Sequence, residues 1–195
     1  MTPGRPVNDA LLGLVAAAPQ DPVTILDVGS GPLTWVGTGG TGRQVEVTAV
    51  DPLASWYAAL FGRHGIEPSV RPVPGRAERL RQVFPDGRFD VVVARNALDH
   101  GVDPRRALLE MLAVTRPGGF VYLEHAEREG ANQHYRGLHQ WDFSVESGRL
   151  RLGHRSADVD LASVLAEVSS ARAETGPDGW VRVWMHKHDP AEGDR

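Results

Sequence analysis

Two sets of residues have types and spacing that could do chemistry. In Asp27-Val-Gly29-Ser-Gly31, two glycines let backbone approach a bulky ligand with no Cβ in the way. Asp51 follows Gly31 by twenty residues, where a carboxylate can accept hydrogen bonds from both hydroxyls of a ribose. Alone, a GxG turn suits any tight strand-to-helix connection, and Asp51 could simply cap a helix. In register, the two point to a nucleoside ligand. The dinucleotide pattern GxGxxG is not completed, since its third position is Thr34, which speaks against nicotinamide or flavin. The second set is histidine: His100, His125, His134 and His139. An imidazole in a loop can take a proton near neutral pH, and His100, then His139, are the first choices for a catalytic base. The commoner role of a loop histidine is a structural hydrogen bond. With Asp99 and Glu124 these side chains offer nitrogen and oxygen ligands, but they show no HxH or HExxH spacing, so no metal is expected.

The elements that must position these residues alternate between strand and helix. An apolar-faced helix over Asn8–Ala17, with Leu11, Leu12 and Val15 on one side, precedes a strand over Val23–Val28. A second strand, Val45–Val50, leads to a helix over Ala54–His64 with Trp56, Ala59 and Leu60 as its buried stripe and Gly65 as its stop. Ser69–Val73 is a weak edge strand, given Pro72. Ala77, Leu80 and Phe84 mark a further helix, and Phe89–Ala94 reads as a central strand apolar on both faces. Asp103-Pro104 starts a helix with Leu108, Met111 and Leu112 inward, which Pro117-Gly-Gly119 ends before a strand over Phe120–Leu123. This order predicts an α/β, doubly wound, mostly parallel sheet. A hairpin around Ser147-Gly148, a helix over Asp158–Val168 and a terminal antiparallel pair, Ser169–Thr175 and Trp180–Lys187, complete the chain.

Composition narrows the class. The 195 residues are 41% hydrophobic and 24% charged, as expected for one soluble globular domain. There is no cysteine, which excludes disulfides, thiolate metal sites and cysteine nucleophiles. A formal charge of −4 gives no general attraction to nucleic acid or anionic lipid. No apolar run is long enough to span a bilayer and no signal-type segment opens the chain, so a cytoplasmic location is expected.

Taken in order, Asp27-Val-Gly-Ser-Gly31, Asp51, Phe89-Asp-Val-Val-Val and Arg116-Pro-Gly-Gly119 resemble class I S-adenosylmethionine-dependent methyltransferases, over about residues 22–125. Asn96-Ala-Leu-Asp-His100 and Gly137-Leu-His-Gln-Trp141 are similar to a bacterial branch of small members. The resemblance implies a seven-stranded Rossmann-like sheet with an antiparallel C-terminal strand, S-adenosyl-L-methionine as cofactor and S-adenosyl-L-homocysteine as product. It implies that Gly29 and Gly31 line the methionine end, with Asp27 holding the loop or the amino group. Asp51 would take the ribose hydroxyls, Leu53 would lie against adenine, and Ala77 and Glu78 would meet its edge. Arg95 and Asn96 would flank the methionine moiety and the acceptor pocket.

The expected activity is methyl transfer to an oxygen or nitrogen of a small molecule or glycan, such as a secondary metabolite or a surface-polysaccharide precursor. Base methylation of nucleic acid is disfavoured, because Arg95-Asn-Ala-Leu98 is not the Pro-Pro-Tyr-like run of amino-directed enzymes. A cofactor-binding protein without transferase activity, acting as sensor or helper subunit, is the alternative. Residues 1–22 read as a lead-in, 23–188 as one domain with a substrate-side insertion at 126–156, and 189–195 as a frayed tail. Only thirteen residues, Pro32 to Gln44, join the glycine turn to the second strand, so the helix usual there must be short, and the glycine-rich loop reads as a flexible connection or as a functional lid. The pocket would then be open, covered by 126–156, or closed by a second subunit in a homodimer. Trp141 and Gln140 could line it, or the aromatics could be core.

Overall fold

The structure is a computed structural model that describes residues 5–155 and 157–189. Its first helix, α1 (Asp9–Ala17), starts where the Asn8 side chain accepts a hydrogen bond from the Ala10 N–H at 3.0 Å. It buries Leu11 and Val15 but leaves Leu12 39% exposed. Strand β1 (Val23–Val28) and strand β2 (Val45–Asp51) follow. Helix α2 (Ala54–His64) ends at Gly65, whose φ of 62° suits the left-handed stop. Its buried positions are Ala54 and Phe61, whereas Trp56 is 73% exposed and Leu60 48%, so the expected stripe lies on the outer face.

Strand β3 is only Val73–Pro74, at the sheet edge, because proline cannot donate to a ladder. The helix expected from Ala77 to Phe84 is a kinked 3₁₀ segment, Ala77–Gln82, with Arg79 out of helical range. Strand β4 (Phe89–Arg95) is buried at every position except its last. A 3₁₀ turn at Leu98–His100 leads to α3 (Pro104–Val114), capped by Asp103, which accepts from the Arg106 N–H at 2.9 Å. Leu108, Met111 and Leu112 face inward as expected.

Helix α3 stops at Val114, not at the Pro-Gly-Gly run. Thr115 returns its hydroxyl to the Met111 carbonyl, and strand β5 (Thr115–Ala126) begins there. The run Arg116–Gly119 forms a register shift inside that strand, where a Cβ on Gly119 would lie 2.7 Å from the Asp90 carbonyl. Helix α4 (Glu129–Asn132), strands β6 (Asp142–Glu146), β7 (Arg149–His154) and β8 (Ala157–Asp158), helix α5 (Ala162–Leu165), and strands β9 (Val168–Thr175) and β10 (Trp180–Lys187) complete the chain. The helix expected over Asp158–Val168 is thus a single turn.

Seven strands form one sheet in the order β3-β2-β1-β4-β5-β10-β9, with β10 alone antiparallel to its neighbours. Strands β6-β7-β8 make a small second sheet. Alternation in β4 splits the core: Val91 and Val93 pack with Leu11, Val15 and Tyr122, while Val92 and Ala94 pack with α3 and, through Phe143 and Leu152, with the small sheet. Strand order reverses between β1 and β4, and the crevice beyond their carboxyl ends is where an open α/β sheet binds ligands.

The segment between the glycine turn and β2 contains no helix. It is pinned instead. Thr34 and Trp35 donate side-chain hydrogen bonds to Asp27, Val36 is buried, and Gly39 bridges to Pro6. At its far end the Arg43 guanidinium donates to the carbonyls of Val15 and Ala18, satisfying the open C-terminus of α1.

Candidate active site

The glycine turn and Asp51 are joined directly. The Gly29 N–H bonds to the Val50 carbonyl at 2.8 Å, continuing the ladder between β1 and β2. Asp51 Oδ2 accepts from the Gly31 N–H at 2.9 Å and Oδ1 from the Leu53 N–H at 2.8 Å. Asp51 therefore organises the turn on each side rather than capping α2, whose N-cap is Leu53. Both glycines have left-handed φ, 68° and 65°. A Cβ on Gly29 would strike Ala97 Cβ at 2.4 Å, whereas one on Gly31 would meet nothing within 4 Å, so the turn opens at Gly31.

Asp27 holds the loop, through Thr34 and Trp35. Burial pushes its carboxyl up to about 6, against those hydrogen bonds, with the negative charge of Asp51 adding to the rise. Leu53 is half exposed beside Asp51. A cleft of about 140 Å³ is lined by Gly29, Ala77, Glu78, Ala97, Leu98 and His100, among others. Glu78 is engaged at its rim, accepting from the Val102 N–H at 2.8 Å.

At the end of β4, Arg95 pairs with Glu124 at 3.1 Å and lies over the rings of Trp35 and Trp180. Asn96 has φ 45°, an uncommon value off glycine, held by its N–H to the Glu124 carbonyl and its side chain to the Ala126 N–H. That twist turns the chain toward Asp99 and His100.

The Asn96–His100 and Gly137–Trp141 stretches clasp each other. The Gln140 N–H bonds to the Asp99 carbonyl at 3.1 Å, and Trp141 Nε1 donates to the Gly101 carbonyl at 2.9 Å. Within the clasp His139 Nδ1 is 2.8 Å from Asp99 Oδ2 and 3.2 Å from His100 Nε2. Asp99 is only 1% exposed; His100 and His139 are about one-third exposed. Burial would raise the Asp99 carboxyl, but the facing imidazoles of His125, His139 and His100 hold it below its ordinary value. His125 is fully buried, stacked 4.0 Å from Phe143, and burial pushes it down. His134 is exposed and stands apart on a left-handed residue.

The structure thus brings together Gly29, Gly31, Asp51 and Leu53 at one end of the crevice, and His100 with His139 at the other. Trp141 serves as the fastener of the clasp, and Gln140 is spent inside its own loop on the Tyr135 and Gly137 carbonyls. Sequence reasoning weighed Asp99 only as an oxygen ligand without ligand spacing, and gave Thr34 and Trp35 no structural role of their own. The adjacency of Asp99 and His100 was the available signal for the first; nothing in the spacing announced the other two.

Residues 26–123 match the model of the methyltransferase domain, about half of the chain. An uncharacterized methyltransferase of Mycobacterium sp. (strain KMS) is 35% identical over 106 residues, 52% of this chain and 38% of that protein. One from Mycolicibacterium gilvum (strain PYR-GCK) is 31% identical over 157 residues, 76% of this chain and 58% of that protein. The chain therefore spans about two-fifths to three-fifths of the length of these relatives. Among solved structures, a SAM-dependent methyltransferase from Aquifex aeolicus superposes with a TM-score of 0.53 at 14% identity, covering 91% of this chain and 93% of that one.

Proposed function

The chain belongs to the methyltransferase domain family, and from that premise we propose that it transfers a methyl group from S-adenosylmethionine to an oxygen or nitrogen of a small-molecule or glycan acceptor. The observation that carries this reading is a shared residue. His100 lines the same cleft as Gly29, Ala77 and Glu78 and also contacts His139 and Asp99. Cofactor side and acceptor side meet there.

The residues present fit the cofactor. Gly31 leaves open space at the turn, and each Asp51 oxygen keeps a lone pair for a ribose hydroxyl beyond its backbone bond. Leu53 offers an apolar surface beside it. When bound, S-adenosylmethionine supplies a methyl group already activated by its sulfonium. What remains for the protein is to hold the acceptor atom in line and to manage its proton when it is a hydroxyl. His100 and His139 are the side chains that meet that group. On this reading the reaction is cytosolic and involves neither nucleic acid nor membrane; among the described residues no helix is long and apolar enough to cross one.

The test is a panel of hydroxyl and amine acceptors, read by release of S-adenosylhomocysteine. Wild-type protein should turn over at least one, and His100→Ala should slow that turnover about a hundredfold, with a far smaller change in cofactor affinity. Equal turnover in the variant would remove His100 from the chemistry. Cofactor binding with no release across the panel would favour a binding protein without transferase activity.

A further inference from the structure

Three atoms in the clasp form a triangle that hydrogen atoms cannot satisfy. His139 Nδ1 and Asp99 Oδ2 are 2.8 Å apart, His100 Nε2 and His139 Nδ1 3.2 Å, and His100 Nε2 and Asp99 Oδ2 3.3 Å. The carboxylate oxygen brings no proton. If both imidazole nitrogens carry one, the two N–H groups face each other. If only one does, the other nitrogen sets its lone pair against the carboxylate. Every assignment leaves one edge repulsive.

We propose that Asp99, His100 and His139 bind a divalent transition-metal ion of the zinc class, with Oδ2, Nε2 and Nδ1 as the ligand atoms. A cation between them converts all three lone pairs into bonds. The distances agree: ligand atoms about 2.0–2.1 Å from such an ion lie about 2.9–3.4 Å from one another, across octahedral or tetrahedral edges. Two imidazoles with one carboxylate suit zinc, iron or cobalt rather than magnesium or calcium, which prefer all-oxygen shells.

A second observation points the same way. Asp99 is 1% exposed, and among the described residues its Oδ1 has no hydrogen-bond partner. It faces Nδ1 of the fully buried His125 at 3.7 Å, and neither nitrogen of His125 has a hydrogen-bond partner among the described residues. A buried carboxylate so poorly satisfied requires nearby positive charge, and His125 stands where a supporting residue would orient a ligating carboxylate. Glu129, with Oε1 3.9 Å from His139 Nδ1, stands within reach as a further oxygen donor. The one-third exposure of both imidazoles leaves an entry path and open coordination positions. The inference rests on the proposed function in one respect only: an acceptor hydroxyl would take an open position, the ion would lower its pKa, and its proton would pass to solvent, with the imidazoles acting as ligands in place of bases.

The test uses the full chain, stripped with a chelator and titrated with Co²⁺, following visible d–d absorption, then with Zn²⁺ by competition. One equivalent should bind per chain. His139→Ala and His100→Ala, each checked for folding by circular dichroism, should lose tenfold or more in affinity, while His64→Ala on the outer end of α2 should bind as wild type. Magnesium should not compete. Failure to saturate at one equivalent, equal competition by magnesium, or binding retained in the double histidine variant would overturn the proposal. S-adenosylmethionine titration of the stripped protein separates the two readings. Cofactor binding without metal binding would sink only the metal site, and metal binding without cofactor binding only the methyl-transfer reading.

Discussion

At the residue scale, the buried Asp27 carboxyl is the group that would link cofactor binding to pH. It titrates near 6 because burial disfavours the charge, against an ordinary value of 3.8. The ionised form therefore costs the free protein stability, and this group's contribution to folding falls as pH rises from about 4 through 6. The cofactor's methionine end carries positive charge and favours the ionised form, so binding would release a proton. We predict that affinity for S-adenosylmethionine drops about tenfold between pH 7.5 and pH 5, the result of returning such a carboxyl to its ordinary value. Asp27→Asn should flatten that dependence. Calorimetry across this range checks it, and a pH-independent affinity in the wild type would remove the cationic end from the vicinity of Asp27. The turn and Asp51 are legible in the sequence because they sit at the ends of β1 and β2, and His100 because it follows β4 closely, whereas His139 lies just before β6 in the segment that follows β5. The sequence did not reveal that His139 reaches Asp99, since forty residues separate them and only the fold closes that gap.

At the scale of elements, the edges of the sheet carried weaker signals than its centre. Strand β4 is apolar on both faces and was readable throughout, whereas Ala77–Gln82 has helical spacing but is kinked at Arg79. The spacing of Trp56 and Leu60 misled for a different reason: both faces of α2 carry apolar residues, and the sheet buries the Ala54 and Phe61 side. The Arg116-Pro-Gly-Gly119 stretch reads in the sequence as a helix end, whereas it lies inside β5 and its arginine does a structural task. Arg116 pairs with the buried Asp90, which also accepts from Thr24 N–H at 2.9 Å and Thr24 Oγ1 at 2.7 Å, tying β1, β4 and β5 together. Removing one partner strands a buried charge, although Arg116 is itself 30% exposed and partly screened. Arg116→Ala should lower stability by about 2–3 kcal/mol in urea unfolding. A loss below about 0.5 kcal/mol, the range of an ordinary surface change, would show that Asp90 is satisfied without it.

Across the whole molecule, the crevice at the strand-order reversal collects the glycine turn, the Asp51 carboxylate and the histidine clasp from four separate stretches of chain. The glycine-rich loop is fixed at Asp27, Pro6 and α1, so the glycine-turn end of the crevice rests on a braced loop where its composition suggests a flexible one. The measurement that bears most directly on the central claim is calorimetric titration with S-adenosylmethionine and S-adenosylhomocysteine, with NAD as the comparison. We predict binding of both adenosyl ligands at micromolar strength and none of NAD. Asp51→Ala should weaken that binding by about 1.5–3 kcal/mol, the scale of charge-assisted hydrogen bonds. Failure of both ligands to bind, or an Asp51→Ala variant that binds as tightly as wild type, would contradict the assignment of this crevice to the cofactor.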